Sequence, residues 1–79
     1  MSIDAAIKQI QLTIKATSAG TQIKVVKISD EEARISVYAA ADDMQAIKNA
    51  TFQPVLDFLI DGLDIQVFVY DKDNPIATV

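Results

Sequence analysis

The sequence predicts an α+β domain. It reads as a two-layer sandwich in the order α-β-β-α-(α)-β, with a three-stranded, mainly antiparallel sheet and its helices on one face. Three observations carry this. Residues 2–18 repeat isoleucine at helical spacing. Residues 33–39 and 64–70 alternate apolar and polar side chains at the period of a strand. Between them lies an apolar stretch, 42–62, punctuated by Asn49 and Pro54. With 79 residues, of which 51% are hydrophobic and 23% charged, the chain is long enough for one small domain, 1–79.

The first element is an amphipathic helix. Ile3, Ile7, Ile10 and Ile14 fall on one stripe. Ser2 is placed to cap the helix, and Asp4 suits the positive end of its dipole. Asp4 and Lys8 form an i,i+4 pair on the wet side. Gly20 is expected as the left-handed residue that ends the helix. Leu12 points almost opposite the isoleucine stripe, as a stray exposed leucine or a partner contact.

Residues 22–28, QIKVVKI, predict a strand. Its alternation slips at Val25-Val26, so either both faces are apolar or the strand carries a bulge. The acidic turn Ser29-Asp30-Glu31-Glu32 joins it to the strand 33–39, making a hairpin. Asp42 or Asp43 then caps a second helix, with Gln45 reaching back and Met44 and Ile47 facing inward. Pro54 disfavours helix at Gln53 and suits the first position of a new one. The region is therefore divided into helices 42–49 and 54–62; one helix kinked at Pro54 is the alternative. Val55, Leu56, Leu59, Ile60 and Leu63 are assigned to the buried side, and Gly62 to the helix end. Residues 64–70, DIQVFVY, predict the last strand. Residues 76–79 read as a tail or a short edge strand.

Composition excludes much chemistry. The chain has no Cys and no His, so disulfides, thiolate nucleophiles, imidazole bases and zinc sites with Cys or His ligands are all out. No serine sits in a nucleophile motif, and no glycine-rich phosphate loop exists. Asp71-Lys72-Asp73-Asn74 begins like a calcium loop but lacks the later Gly and the bidentate Glu, and reads as a turn. Asp42-Asp43 is explained by capping. No catalytic residue, metal ligand or cofactor is expected, and the chain is read as not an enzyme. The longest charge-free stretches, 16–23 and 49–56, are far short of the about 20 apolar residues of a membrane span. The first residues lack the basic and apolar regions of a signal peptide, so a cytoplasmic location is the default.

The element order resembles the type II KH domain, in which an extra helix and strand precede a β-α-α-β unit. That resemblance implies single-stranded nucleic-acid binding through a GxxG loop between the two middle helices. The corresponding segment here is Asn49-Ala50-Thr51-Phe52, without glycine. The order is also similar to the C-terminal domain of NifU-type iron–sulfur scaffolds, which carry a CxxC before the middle helix. Ala39-Ala40-Ala41-Asp42-Asp43 stands there in this chain, so cluster transfer is excluded.

The candidate site is the sheet face left uncovered by the helices. Alternation places Arg34, Ser36, Tyr38, Gln66, Phe68 and Tyr70 there, with Lys24. Three of the five aromatics in the chain share this face. Aromatic platforms stack bases in RNA-binding sheets, and Tyr, Phe and Arg are also enriched in protein interfaces. Net charge favours the second use: it is −4, with a pI of about 4.4, whereas nucleic-acid binders need a positive footprint. The acids are concentrated in residues 42–79, which hold seven acids and two bases. Asp57, Asp61 and Asp64 form a solvated face there or a patch that steers a basic partner. The expected function is that of a non-enzymatic protein–protein interaction module: a small acidic dimeric adaptor, regulator or inhibitor. Arg34, Tyr38, Phe68 and Tyr70 are its partner-binding residues. The partner is another protein, a second copy of this chain in a homodimer, or both. A KH-like single-stranded nucleic-acid binder lacking the GxxG loop is the alternative.

Overall fold

The computed structural model describes residues 1–73. Helix α1 spans Ile3–Thr17, strand β1 Gln22–Lys27, strand β2 Glu32–Ala39, helix α2 Met44–Ile60 and strand β3 Asp64–Asp71. A single 3₁₀ turn, Ala41–Asp43, leads into α2. The strands form one mixed sheet in the order β1-β2-β3. The hairpin strands β1 and β2 run antiparallel, and β3 returns parallel to β2 after the α2 crossover. The reading of 76–79 lies outside the described residues.

The isoleucine stripe forms the α1 side of the core. Ile3, Ala6, Ile7, Ile10 and Ile14 are buried. They pack with Ala33, Ile35, Val37 and Ala39 of β2 and Ile65 of β3, together with Ile47, Phe58 and Leu63. β2 is the central strand, which is why every second residue on it is fully buried. Both helices lie on this face of the sheet, so the alternate residues of β2 and β3 point away from them.

Ser2 caps α1 by accepting from the Ala5 N–H at 3.2 Å. The helix ends without a left-handed residue. The Ser18 N–H donates to the Ile14 carbonyl at 2.9 Å, Ser18 itself is extended, and Gly20 has no positive φ. Asp4 does not pair with Lys8. Its carboxylate meets Lys27 Nζ at 3.4 Å, because the β1 terminus brings a tertiary cation closer than the helix does. β1 carries no bulge: its register with β2 is unbroken from Gln22↔Tyr38 to Lys27↔Ala33. Val25 packs on the core while Val26 faces water.

α2 is one helix, not two. Pro54 loses its own N–H bond to the carbonyl of Ala50 and crowds the preceding turn, but a single axis is needed for Ile47, Thr51 and Phe58 all to reach the core. Thr51 Oγ1 donates to the Ile47 carbonyl at 2.8 Å, so its hydroxyl is satisfied where it is buried. Asp43 occupies the N-cap position without making a cap bond. Its carboxylate accepts instead from Ser18 Oγ at 2.9 Å, tying the end of α1 to the start of α2. Gln45 does not reach back; it donates forward to Asn49 Oδ1 at 2.9 Å. Gly62, at φ 90°, makes the turn from α2 into β3 that an L side chain resists.

Candidate functional site

Register fixes the rows of the uncovered sheet face. Gln22, Tyr38 and Tyr70 form one row, Lys24, Ser36 and Phe68 the next, and Val26, Arg34 and Gln66 the third. The structure therefore brings Arg34, Tyr38, Phe68 and Tyr70 onto one face. Tyr38 and Tyr70 are register partners, and their rings stack. Phe68, one pleat away, is 42% exposed, and Arg34 is exposed beside it. No described helix crosses this face.

A second apolar surface lies at the edge of the sheet. It is a groove of ≈ 570 Å³ between α2 and the outer edge of β3, walled by Phe52, Val55, Leu56 and Leu59 on one side and Ile65 and Val67 on the other. Leu56, Leu59 and Ile60 are not part of the buried side. They are exposed, Ile60 to 76%, and Phe52 to 68%. Once α2 is continuous, its inward stripe is Ile47, Thr51 and Phe58, and Phe52, Leu56 and Leu59 fall on a neighbouring stripe at spacings of four and three. That spacing is present in the sequence. Dividing the helix at Pro54 concealed it.

The loop position implied by the KH resemblance lies inside α2, so residues 49–52 have helical backbone bonds and no exposed loop amides. Asp71 Oδ1 accepts from the Asp73 N–H at 2.9 Å, which makes this segment a side-chain-closed turn. Among the described residues no group of three or more acidic side chains is gathered for a metal ion. No helix among them is long and apolar enough to cross a membrane.

No family model, curated protein or solved structure matches this chain.

Proposed function

We propose that this chain is a protein-interaction domain without a reaction of its own, which docks a protein partner on the open face of its sheet. The observation that carries the reading is the uncovered cluster of Tyr38, Tyr70 and Phe68 with Arg34 beside it. Stacked tyrosines present a large, stiff area at low entropic cost, and Arg adds a planar donor. The net charge of −4 opposes phosphate binding. The helical course of 49–52 further weakens the nucleic-acid reading, because it removes the loop through which a KH domain approaches phosphates.

The test uses a photo-crosslinking residue at position 68, with position 9 on the exposed side of α1 as control. A protein captured at 68 and not at 9 is purified and titrated with the intact chain. Tyr38→Ala and Phe68→Ala are expected to weaken that binding at least tenfold. Unchanged affinity in both variants overturns the reading. So does salt-dependent binding of single-stranded RNA that Phe68→Ala abolishes.

A further inference from the structure

β3 is an edge strand, and its outer edge is unpaired among the described residues. The hydrogen bonds to β2 show which of its groups are free. The Asp64 N–H donates to the Glu31 carbonyl at 2.7 Å, and the Lys72 N–H to the Ala39 carbonyl at 2.9 Å. In a parallel ladder, successive residues turn their N–H and C=O alternately inward and outward. The even-numbered residues of β3 therefore bond β2, and Ile65, Val67 and Val69 direct N–H and C=O outward.

Between Asp64 and Asp71 this edge reads Ile-Gln-Val-Phe-Val-Tyr, with no charge, no proline and no bulge. Natural edges carry such devices to prevent pairing. Beside the edge lies the groove, whose α2 wall exposes Phe52, Leu56 and Leu59. A backbone in need of partners thus adjoins an apolar strip that runs about 10 Å along α2, from Phe52 to Leu59.

We infer that a second copy of this chain occupies this edge, through antiparallel β3–β3 pairing about a two-fold axis at Val67. The register follows from the free backbone groups. Val67 pairs with its own counterpart and Ile65 with the second copy's Val69, and these are the outward-facing residues. The result is one six-stranded sheet, with the two α2 strips packed together beneath it.

The charges suit a two-fold. A short turn reverses the chain between α2 and β3, so Lys48 lies toward the C-terminal end of β3 and Asp64 marks its start. A self-complementary surface needs opposite charges at opposite ends, because the axis exchanges them. Antiparallel pairing brings Lys48, on the helix side, to the end where the second copy's Asp64 points to the open face, so the two attract around the sheet edge without forming an ion pair. Within the strand no like charges meet, since Asp64 falls opposite Tyr70 and Asp71 opposite Leu63. Parallel pairing would set Asp64 beside Asp64. The open sheet face is not consumed. It becomes continuous across the axis, so this inference stands independently of the proposed partner.

Sedimentation across a concentration series is the first measurement, with a dimer expected. Leu59→Lys, at a position 52% exposed, is expected to weaken the dimer at least tenfold, with an unchanged melting temperature at concentrations where both proteins are monomeric. Tyr38→Ala is expected to leave it intact. Lys48→Asp is expected to weaken it modestly, and Lys48→Asp with Asp64→Lys to recover part of that loss. The register has its own probe. Facing residues of a hydrogen-bonded antiparallel pair have Cα atoms about 5.5 Å apart, within disulfide reach. Val67→Cys is therefore expected to crosslink rapidly to itself under mild oxidation, and Leu12→Cys, on the outer side of α1, is not. A monomer at every concentration overturns the inference. So does a dimer lost on Tyr38→Ala and kept on Leu59→Lys, or a Val67→Cys variant that crosslinks no faster than Leu12→Cys.

Discussion

Tyr38 and Tyr70 stack across the β2–β3 pair with ring centroids 5.4 Å apart and planes inclined by 22°. They come from strands separated in sequence by the whole of α2, and the parallel register places them side by side. The stack does two things at once. It joins the outer surfaces of two strands, and it holds two large rings ready on a face that no helix covers.

The structural share of that stack is measurable. Aromatic pairs contribute about 0.5–1.5 kcal/mol beyond area burial. A double-mutant cycle with Tyr38→Leu and Tyr70→Leu, followed by urea unfolding, is expected to return a coupling energy in that range. A coupling near zero shows two rings that adjoin without stabilising one another.

Thr21 is 2% exposed, and its hydroxyl has no hydrogen-bond partner. Its carbonyl accepts from Lys15 Nζ and its N–H donates to the Ser18 carbonyl, so the backbone is satisfied and only Oγ1 is not. An unmet buried hydroxyl costs about 1–3 kcal/mol, and Val has the same shape without it. Thr21→Val is expected to stabilise the fold by about 1 kcal/mol, a rise of about 5 °C in Tm for a domain of this size. A fall in Tm indicates that Oγ1 has a solvent partner.

Much of the fold was legible because several segments obey a single period. The isoleucines of α1 recur only on one stripe, and Ile35, Val37, Ile65, Val67 and Val69 share one face of their strands. The open face, with Arg34, Tyr38, Phe68 and Tyr70, followed from the same alternation. α2 was less legible. Its residues are apolar on more than one side, so periodicity does not say which side is buried. Pro54 is a local signal for a break, and it was overridden by the nonlocal requirement that Ile47 and Phe58 reach one core. The groove was lost with that division. Asp43 shows the same competition on a smaller scale: it sits where a local rule assigns a cap, and a tertiary contact with Ser18 takes its carboxylate instead.

Pro54 makes that competition testable. Proline within a helix costs about 3 kcal/mol relative to alanine, through the missing N–H and the clash with the preceding turn. Its rigidity recovers about 0.4–1 kcal/mol by restricting the unfolded chain. Pro54→Ala is therefore expected to stabilise the domain by about 2 kcal/mol in urea titration, with the fold unchanged by circular dichroism. Destabilisation indicates that α2 needs the bend proline imposes in order to lie against both α1 and β3.

Ser18 and Asp43 offer a test of how the two helices are held. The Ser18 hydroxyl donates to Asp43 Oδ2 at 2.9 Å in a partly buried position, linking residues 25 apart in sequence. Asp43 makes no side-chain cap bond to α2, so the removal of its carboxylate reports mainly on the link and on the favourable charge at the helix N-terminus. A hydrogen bond to a charged group contributes about 1.5–3 kcal/mol. Asp43→Ala and Ser18→Ala are each expected to destabilise by about 1–2 kcal/mol, with Asp43→Ala the larger because it also loses the dipole interaction. The double variant is expected to cost less than the sum of the two, since one bond is removed in both. Strict additivity means the two side chains act separately, and the helices are then held together by the isoleucine core alone.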